Sequence, residues 1–357
     1  MKIAVTKVSP EKLKKKPSKG AALGFGKMFS DHMFLIEYDK GKGWHDPRIE
    51  PYHALSLDPA TIVLHYGQGI FEGLKAYRWQ NGEIWLFRPR ENYERLNFSA
   101  RRLCMPEISA EDALEATREL VRLEKDWVPS EPGSSLYIRP TMIATEVAVG
   151  VHVAAKYLFY IIVGPVGAYY PQGFSPTDIF ITEKYARAAM GGLGQAKTMA
   201  NYAASLLAQE EAQEMGYTQV LWLDPVERKY VEEVGTSNIF FYLGDELVTP
   251  ALTGTILAGI TRDSVIHMAR DWGMKVSERR ISLDEVLAAL ERGTLKEAFA
   301  TGTAAVISPV GKLAYRDKAY PVNDGEVGPL AQKLYDTIMG IQYGKVKDPY
   351  GWVQKVV

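Results

Sequence analysis

A chain of 357 residues is long enough for two domains of ordinary size, each able to bury its own core. Apolar residues make up 46% and charged residues 24%, and 42 Lys plus Arg almost match 43 Asp plus Glu, so the net charge of −1 gives no field that would gather nucleic acid or an anionic membrane. The single cysteine, Cys104, excludes an intrachain disulfide framework and any multi-cysteine metal site, and is expected to be a buried thiol in a reducing compartment.

From the start of the chain, residues 1–20 lack the long apolar stretch of a signal peptide, and no later apolar run approaches the ~20 residues that cross a bilayer, which predicts a cytoplasmic protein. The basic cluster Lys12, Lys14, Lys15, Lys16 and Lys19, bracketed by Pro10 and Pro17, reads as a solvated arm. Residues 32–38 and 83–87 predict strands and residues 91–105 a helix. Residues 109–128 predict a clearer helix, because Ser109 stands three residues before Asp112 as in a capping box and Leu114, Leu120, Val121 and Leu123 form an apolar face. Residues 135–145 and 156–163 are β-rich.

Residues 164–176 are rich in Gly, Pro and Tyr, which suits a crossing between domains. The boundary is expected near residue 172, between a small N-terminal α/β domain (1–172) and a larger C-terminal domain (173–357). The second half predicts strands at 178–182 and 219–223 with a helix over 199–215 between them. A further helix starts at Ser282, with Glu285 three residues on, and runs towards Gly293. Strands and helices alternate without regular βαβ spacing, which predicts an α+β or mixed α/β architecture.

The sharpest local feature is a glycine-rich loop, Gly191-Gly192-Leu193-Gly194-Gln195-Ala196-Lys197-Thr198, that delivers a lysine to a helix start. A nucleotide-phosphate loop needs glycine immediately before the lysine, where Ala196 stands, and a strand directly before the first glycine. Lys197 is then either a surface lysine or a chemical one. Further along, Glu232 and Glu233 lie within the β-forming stretch 231–240, and alternation sends them to opposite faces. One is expected to be solvated; the other points inward and needs a cationic partner, for which a protonated pyridine nitrogen would serve.

Several separated blocks decide more. In chain order they are residues 64–77 (LHYGQGIFEGLKAY), Asn92-Tyr93-Glu94-Arg95, Leu136-Tyr137-Ile138-Arg139-Pro140, Gly164-Pro165-Val166-Gly167-Ala168-Tyr169-Tyr170, residues 197–202, residues 233–240 and Thr301-Gly302-Thr303-Ala304. In their order and joint presence they resemble the branched-chain-amino-acid aminotransferases of the fold-type IV pyridoxal-phosphate superfamily.

That resemblance implies a two-domain fold-type IV architecture with pyridoxal 5'-phosphate at the domain interface. It also implies reversible, ping-pong transfer of the amino group between L-leucine, L-isoleucine or L-valine and 2-oxoglutarate, giving branched-chain 2-oxo acids and L-glutamate. Lys197 is then the Schiff-base lysine, and Lys75, a second candidate by sequence alone, is structural or at the surface. For the cofactor, the resemblance implies Arg95, the Ile260 and Thr261 amides at a helix start, and Thr303 at the phosphate, Tyr202 at the ring oxygen and Glu233 at the ring nitrogen. For the substrate it implies Tyr66, Tyr137, Arg139 and Tyr169 around the side chain and the amides of Thr303 and Ala304 at the α-carboxylate. Val149, Gly150 and Val151 match a loop that reaches a neighbouring subunit, implying a homodimer. Ala305 and Ser308 occupy the places where some animal members carry a Cys-x-x-Cys redox pair, so no such switch is expected. D-amino-acid aminotransferases and aminodeoxychorismate lyases share the lysine and glutamate, so these two residues do not separate the alternatives; the blocks around Tyr66 and Arg139 favour the branched-chain enzyme. The expected partners are small amino acids and 2-oxo acids, with no metal, nucleic acid or membrane.

Overall fold

The computed structural model describes residues 1–18, 20–167 and 173–357, so Lys19, Tyr169 and the expected boundary at residue 172 lie outside the described residues. By contact the chain divides into two compact units. The first is Met1–Pro171 with Ala196–Met199 and Gly340–Val357; the second is Gln172–Gln195 with Ala200–Met339. The sequence reading places the lysine segment in the second half, whereas Ala196–Met199 groups with the first unit. The cause is local pairing: Thr198 bridges to Ile70 and its hydroxyl donates to the Gly69 carbonyl at 2.8 Å. The chain end also returns to the first unit, where Val353–Lys355 pairs antiparallel with Ile84–Phe87, so the first unit is the larger one.

In the first unit the sheet runs Ala4–Val5, Gly43–Pro51, His32–Asp39, Lys156–Val166, Ser135–Ala144, Leu74–Arg78, Ile84–Phe87, Val353–Lys355, with Gly69–Phe71 also paired to Ser135–Ala144. All pairings but the first are antiparallel. The helix Pro89–Arg102 starts on a proline, whose missing N–H costs nothing in a first turn, and Ala110–Leu123 starts on Ser109, whose side chain accepts from the Asp112 amide at 3.4 Å. Their apolar faces, including Tyr93, Leu96, Ala100, Leu114, Leu120 and Val121, share one core with Ile70, Leu74, Ala76, Leu136, Ile138 and Met142 from the sheet. Side chains alternate along a strand, so the residues between these, Phe71, Lys75, Tyr137 and Arg139, stand on the opposite sheet face. Burial of the core therefore aims the site residues.

The second unit carries a mixed sheet in the order Val231–Val234, Gln219–Leu223, Thr177–Ile181, Val306–Tyr315, Leu295–Gly302, Asn238–Leu243, Glu246–Thr249, Lys275–Glu278, with Lys318–Pro321 paired to Val306–Tyr315. Thr177–Ile181 is parallel to both neighbours, and Glu246–Thr249 is parallel to Lys275–Glu278. Helix Leu283–Glu291 packs Leu283, Val286 and Ala289 on this sheet's core and begins at Ser282, which accepts from the Glu285 amide at 3.1 Å. The mixed architecture expected from the sequence is the one found.

Several expectations need correction. The helix over 199–215 is two helices, Met199–Ala203 and Leu206–Glu214, because the Ser205 hydroxyl donates to the Tyr202 carbonyl at 2.8 Å and competes with helix continuation. The strand Lys156–Val166 runs through Gly164, which the sequence suggests is part of a crossing. Glycine serves there because a Cβ would lie 1.9 Å from the Met28 carbonyl oxygen. Cys104 is exposed rather than buried, in the turn that ends the helix Pro89–Arg102, with φ +55°. Among the described residues no helix is long and apolar enough to cross a membrane, and no group of three or more His, Cys, Asp or Glu is placed to hold a metal ion.

Candidate active site

In the first unit the site is built around the ring of Phe71. The Lys197 amine lies 5.0 Å from its centroid and the Arg139 guanidinium 4.7 Å. Arg139 also sits over Tyr137 at 5.3 Å and donates through Nη2 to its hydroxyl at 3.0 Å. Lys197, Tyr137 and Arg139 are thus brought together, as the blocks imply. The lysine's backbone is held at both ends: its amide donates to Ser99 Oγ at 2.9 Å and its carbonyl accepts from the Phe71 amide at 3.1 Å.

Beside Phe71, Glu72 is fully buried at 0% exposure. Arg95 donates to it from Nε at 2.7 Å and from Nη2 at 2.9 Å, and Asn92 at 2.9 Å and the Gly73 amide at 3.1 Å complete its partners. Burial works against ionisation of this carboxyl, yet the Arg95 guanidinium, the charge of Lys197 and the Asn92 amide together hold it below the ordinary carboxylate range. Arg95, expected at a phosphate, therefore has a carboxylate along one edge. Lys75 is neither exposed nor the lysine at Phe71. It is buried opposite Tyr137 in the sheet register, and burial pushes its amine down to about 7.

Tyr66 is tied to another segment of this unit. It ends the short helix Ile62–Tyr66 and donates to the Val149 carbonyl at 2.5 Å, so the structure joins it to the loop expected to meet a neighbouring subunit. In that loop Val149 and Val151 are 66% and 84% exposed, too open to be part of this unit's own core.

In the second unit both glutamates of the strand Val231–Val234 are buried, which corrects the expectation that one is solvated. Glu233 forms an ion pair with Arg187, Nε to Oε2 at 2.7 Å, with the N–H not aimed at the oxygen. Its other oxygen accepts from Asn238 at 3.0 Å and from the Leu257 amide at 3.2 Å. Glu232 accepts from the Thr255 hydroxyl at 2.5 Å while its second oxygen has no hydrogen-bond partner among the described residues; burial raises its carboxyl above the ordinary range.

The same unit supplies the expected helix start. Ile260–Asp271 is capped by Gly259 with no side-chain cap bond, so the amides of Ile260 and Thr261 belong to a first turn. Thr303 and Ala304 form the turn between Leu295–Gly302 and Val306–Tyr315, and Tyr202 lies half-buried on Met199–Ala203.

Two residues escaped the sequence reading. Glu72 left a signal, a carboxylate inside an apolar block that must find a cation once buried. Arg187 left none, since nothing in Tyr185-Ala186-Arg187-Ala188 marks it.

The family model described as "Amino-transferase class IV" matches residues 69–313. The chain belongs to that family. This class IV aminotransferase is similar to the "Branched-chain-amino-acid aminotransferase 2" of Bacillus subtilis (strain 168), with 53% identity covering 99% of this chain and 97% of the relative. It is 55% identical to the "Branched-chain-amino-acid transaminase 1" of the same organism, covering 96% of each. Among solved structures, a T.th. branched-chain amino acid aminotransferase with pyridoxamine 5'-phosphate is similar at a TM-score of 0.75 and 29% identity, covering 90% of this chain and 98% of that one.

Proposed function

We propose that this class IV aminotransferase is a cytoplasmic, homodimeric branched-chain-amino-acid aminotransferase that uses pyridoxal 5'-phosphate. It interconverts L-leucine, L-isoleucine or L-valine plus 2-oxoglutarate with the branched-chain 2-oxo acids plus L-glutamate. The observation that carries this is the match, over nearly the whole of both chains, to relatives bearing that name.

The donor set suits such a cofactor: a primary amine, a guanidinium, buried carboxylates and a helix start whose glycine leaves no side-chain cap. At Gly259 a Cβ would lie 1.9 Å from Asn238 Oδ1, so any side chain at this helix start must displace Asn238. Lys197 would hold the aldehyde carbon covalently, Arg95, Thr303 and the Ile260 and Thr261 amides the phosphate, Tyr202 the ring oxygen and Glu233 the ring nitrogen. A carboxylate oxygen can accept two bonds, so the contact of Glu233 with Arg187 leaves its role at the ring nitrogen chemically open. When bound, pyridoxal phosphate supplies a conjugated ring that takes up the electron pair left when the substrate Cα–H bond breaks.

The remaining work falls to side chains. Lys197 Nζ, freed when the substrate amine takes its place, would carry the proton from the substrate Cα to the former aldehyde carbon and the opposite way in the second half-reaction, and its backbone bonds to Ser99 and Phe71 fix the point from which it reaches. The Thr303 and Ala304 amides hold the substrate α-carboxylate. Tyr66, Tyr137 and Tyr169 offer aromatic surface to a branched side chain. Arg139, whose Nε is buried without a hydrogen-bond partner among the described residues, offers charge to the γ-carboxylate of glutamate.

The test is turnover of L-leucine with 2-oxoglutarate by the purified chain, followed by borohydride reduction and peptide mapping. Label on Lys197, loss of turnover in Lys197→Ala and no turnover of D-alanine are expected. Label on another lysine, or activity on D-alanine alone, overturns the assignment.

A further inference from the structure

The helix Pro89–Arg102 presents Asn92, Arg95 and Ser99 at spacings of three and four, so all three share one helix face. Asn92 and Arg95 close on the Glu72 carboxylate, while Ser99 holds the Lys197 amide. From the other side, the neighbour of Glu72 in the chain, Phe71, holds the Lys197 carbonyl, and the Glu72 amide itself donates to the Pro140 carbonyl at 2.9 Å. The helix that carries Arg95 is thereby tied to the Glu72 carboxylate through Asn92 and Arg95 and to the lysine segment through Ser99.

The geometry of the guanidinium decides what Arg95 can do. Its Nε and Nη2 form the fork that suits two-point contact with an oxyanion, and that fork is spent on Glu72. The plane and direction in which Arg95 can meet an anion are thus set by its two-point contact with Glu72. A carboxylate so placed either orients the arginine for its anion or competes with the anion for it, and these alternatives predict opposite effects on affinity.

We propose that Glu72 is a positioning residue for cofactor binding: it holds Arg95 by the Nε–Nη2 edge and so fixes the direction in which the guanidinium meets the cofactor phosphate. This rests on the proposed assignment of Arg95 to that phosphate. Glu72 itself touches no reacting atom.

The phosphate can be isolated by comparing pyridoxal 5'-phosphate with pyridoxal, which lacks it. Equilibrium titrations of the full chain, freed of cofactor, are run on wild type, Glu72→Gln and Glu72→Asp. Glu72→Gln is expected to weaken binding of pyridoxal 5'-phosphate by about ten- to a hundredfold, the range for loss of a charge-assisted contact, while pyridoxal binding changes by less than about twofold. Glu72→Asp keeps the charge but not the reach to both nitrogens, and an intermediate loss is expected. If Glu72→Gln fails to fold by circular dichroism, the same comparison on Glu72→Asp decides. Unchanged or tighter binding of the phosphate form overturns the role of Glu72, and so does an equal loss for both forms, which marks a general packing defect. A wild-type chain that takes up neither form overturns the cofactor assignment itself and the role of Glu72 with it.

Discussion

At the scale of single residues, Lys75 offers a measurable consequence of burial. Its amine titrates at about 7, whereas an unfolded lysine holds its proton to about 10.4. Between these values the unfolded chain binds the extra proton, so stability rises with pH by about 1.4 kcal/mol per unit and the contribution levels off below the lower value. Lys75→Met keeps the apolar bulk and removes the titration. From pH 7.5 to 9.5 wild type should gain on the order of 2 kcal/mol relative to this variant in urea denaturation at fixed protein concentration. A difference that stays flat with pH would show the amine is not held neutral. The sequence left open which of two lysines is buried in the sheet and which approaches Phe71, because both are set by strand pairing between distant segments, which no local pattern reveals. Glu232 was hidden for a related reason: alternation assigns faces, but it cannot say that both faces of a strand are covered.

At the scale of elements, Gly259 links the start of a helix to the support of a carboxylate. Asn238 donates both to Glu233 at 3.0 Å and to the Leu257 carbonyl at 2.9 Å, and its Oδ1 fills the space a Cβ at position 259 would need. Gly259→Ala must therefore displace Asn238 and break both bonds. At roughly 1 kcal/mol for each, about a tenfold or greater loss in pyridoxal 5'-phosphate affinity is expected with the fold retained by circular dichroism. Full affinity in this variant would mean that Asn238 is not needed to hold Glu233. Elements whose signals are local were readable in advance. Ser109 and Ser282 cap the helices their spacing announced, since a cap needs only the next turn. The grouping of Ala196–Met199 with the first unit was not readable, because it depends on the bridge from Thr198 to Ile70, far away in sequence.

At the scale of the whole molecule, the run Val147, Val149, Val151 and Val153 is 58%, 66%, 84% and 57% exposed, with Leu64 nearby in the same unit at 57%. Exposed apolar side chains gathered along one loop suit an interaction surface. Its root is fixed, since Val147 bridges to Thr61, the Ala148 amide donates to the Ala60 carbonyl at 2.9 Å, and Tyr66 holds the Val149 carbonyl. The loop is thus presented in a set conformation, which lowers the ordering cost of association. The expected homodimer puts the same loop into the contact twice, once from each subunit, so one substitution acts twice. Val151→Asp places a carboxylate at the most exposed of these positions, at a cost of about 2 kcal/mol per buried copy, or roughly a thousandfold weaker association for both. Because the side chain touches little within its own subunit, folding of the single chain should be unchanged by circular dichroism. Sedimentation velocity over a concentration series is expected to show wild type as a dimer and Val151→Asp dissociating at concentrations where wild type does not. A variant that sediments like wild type throughout would place the subunit contact on another surface.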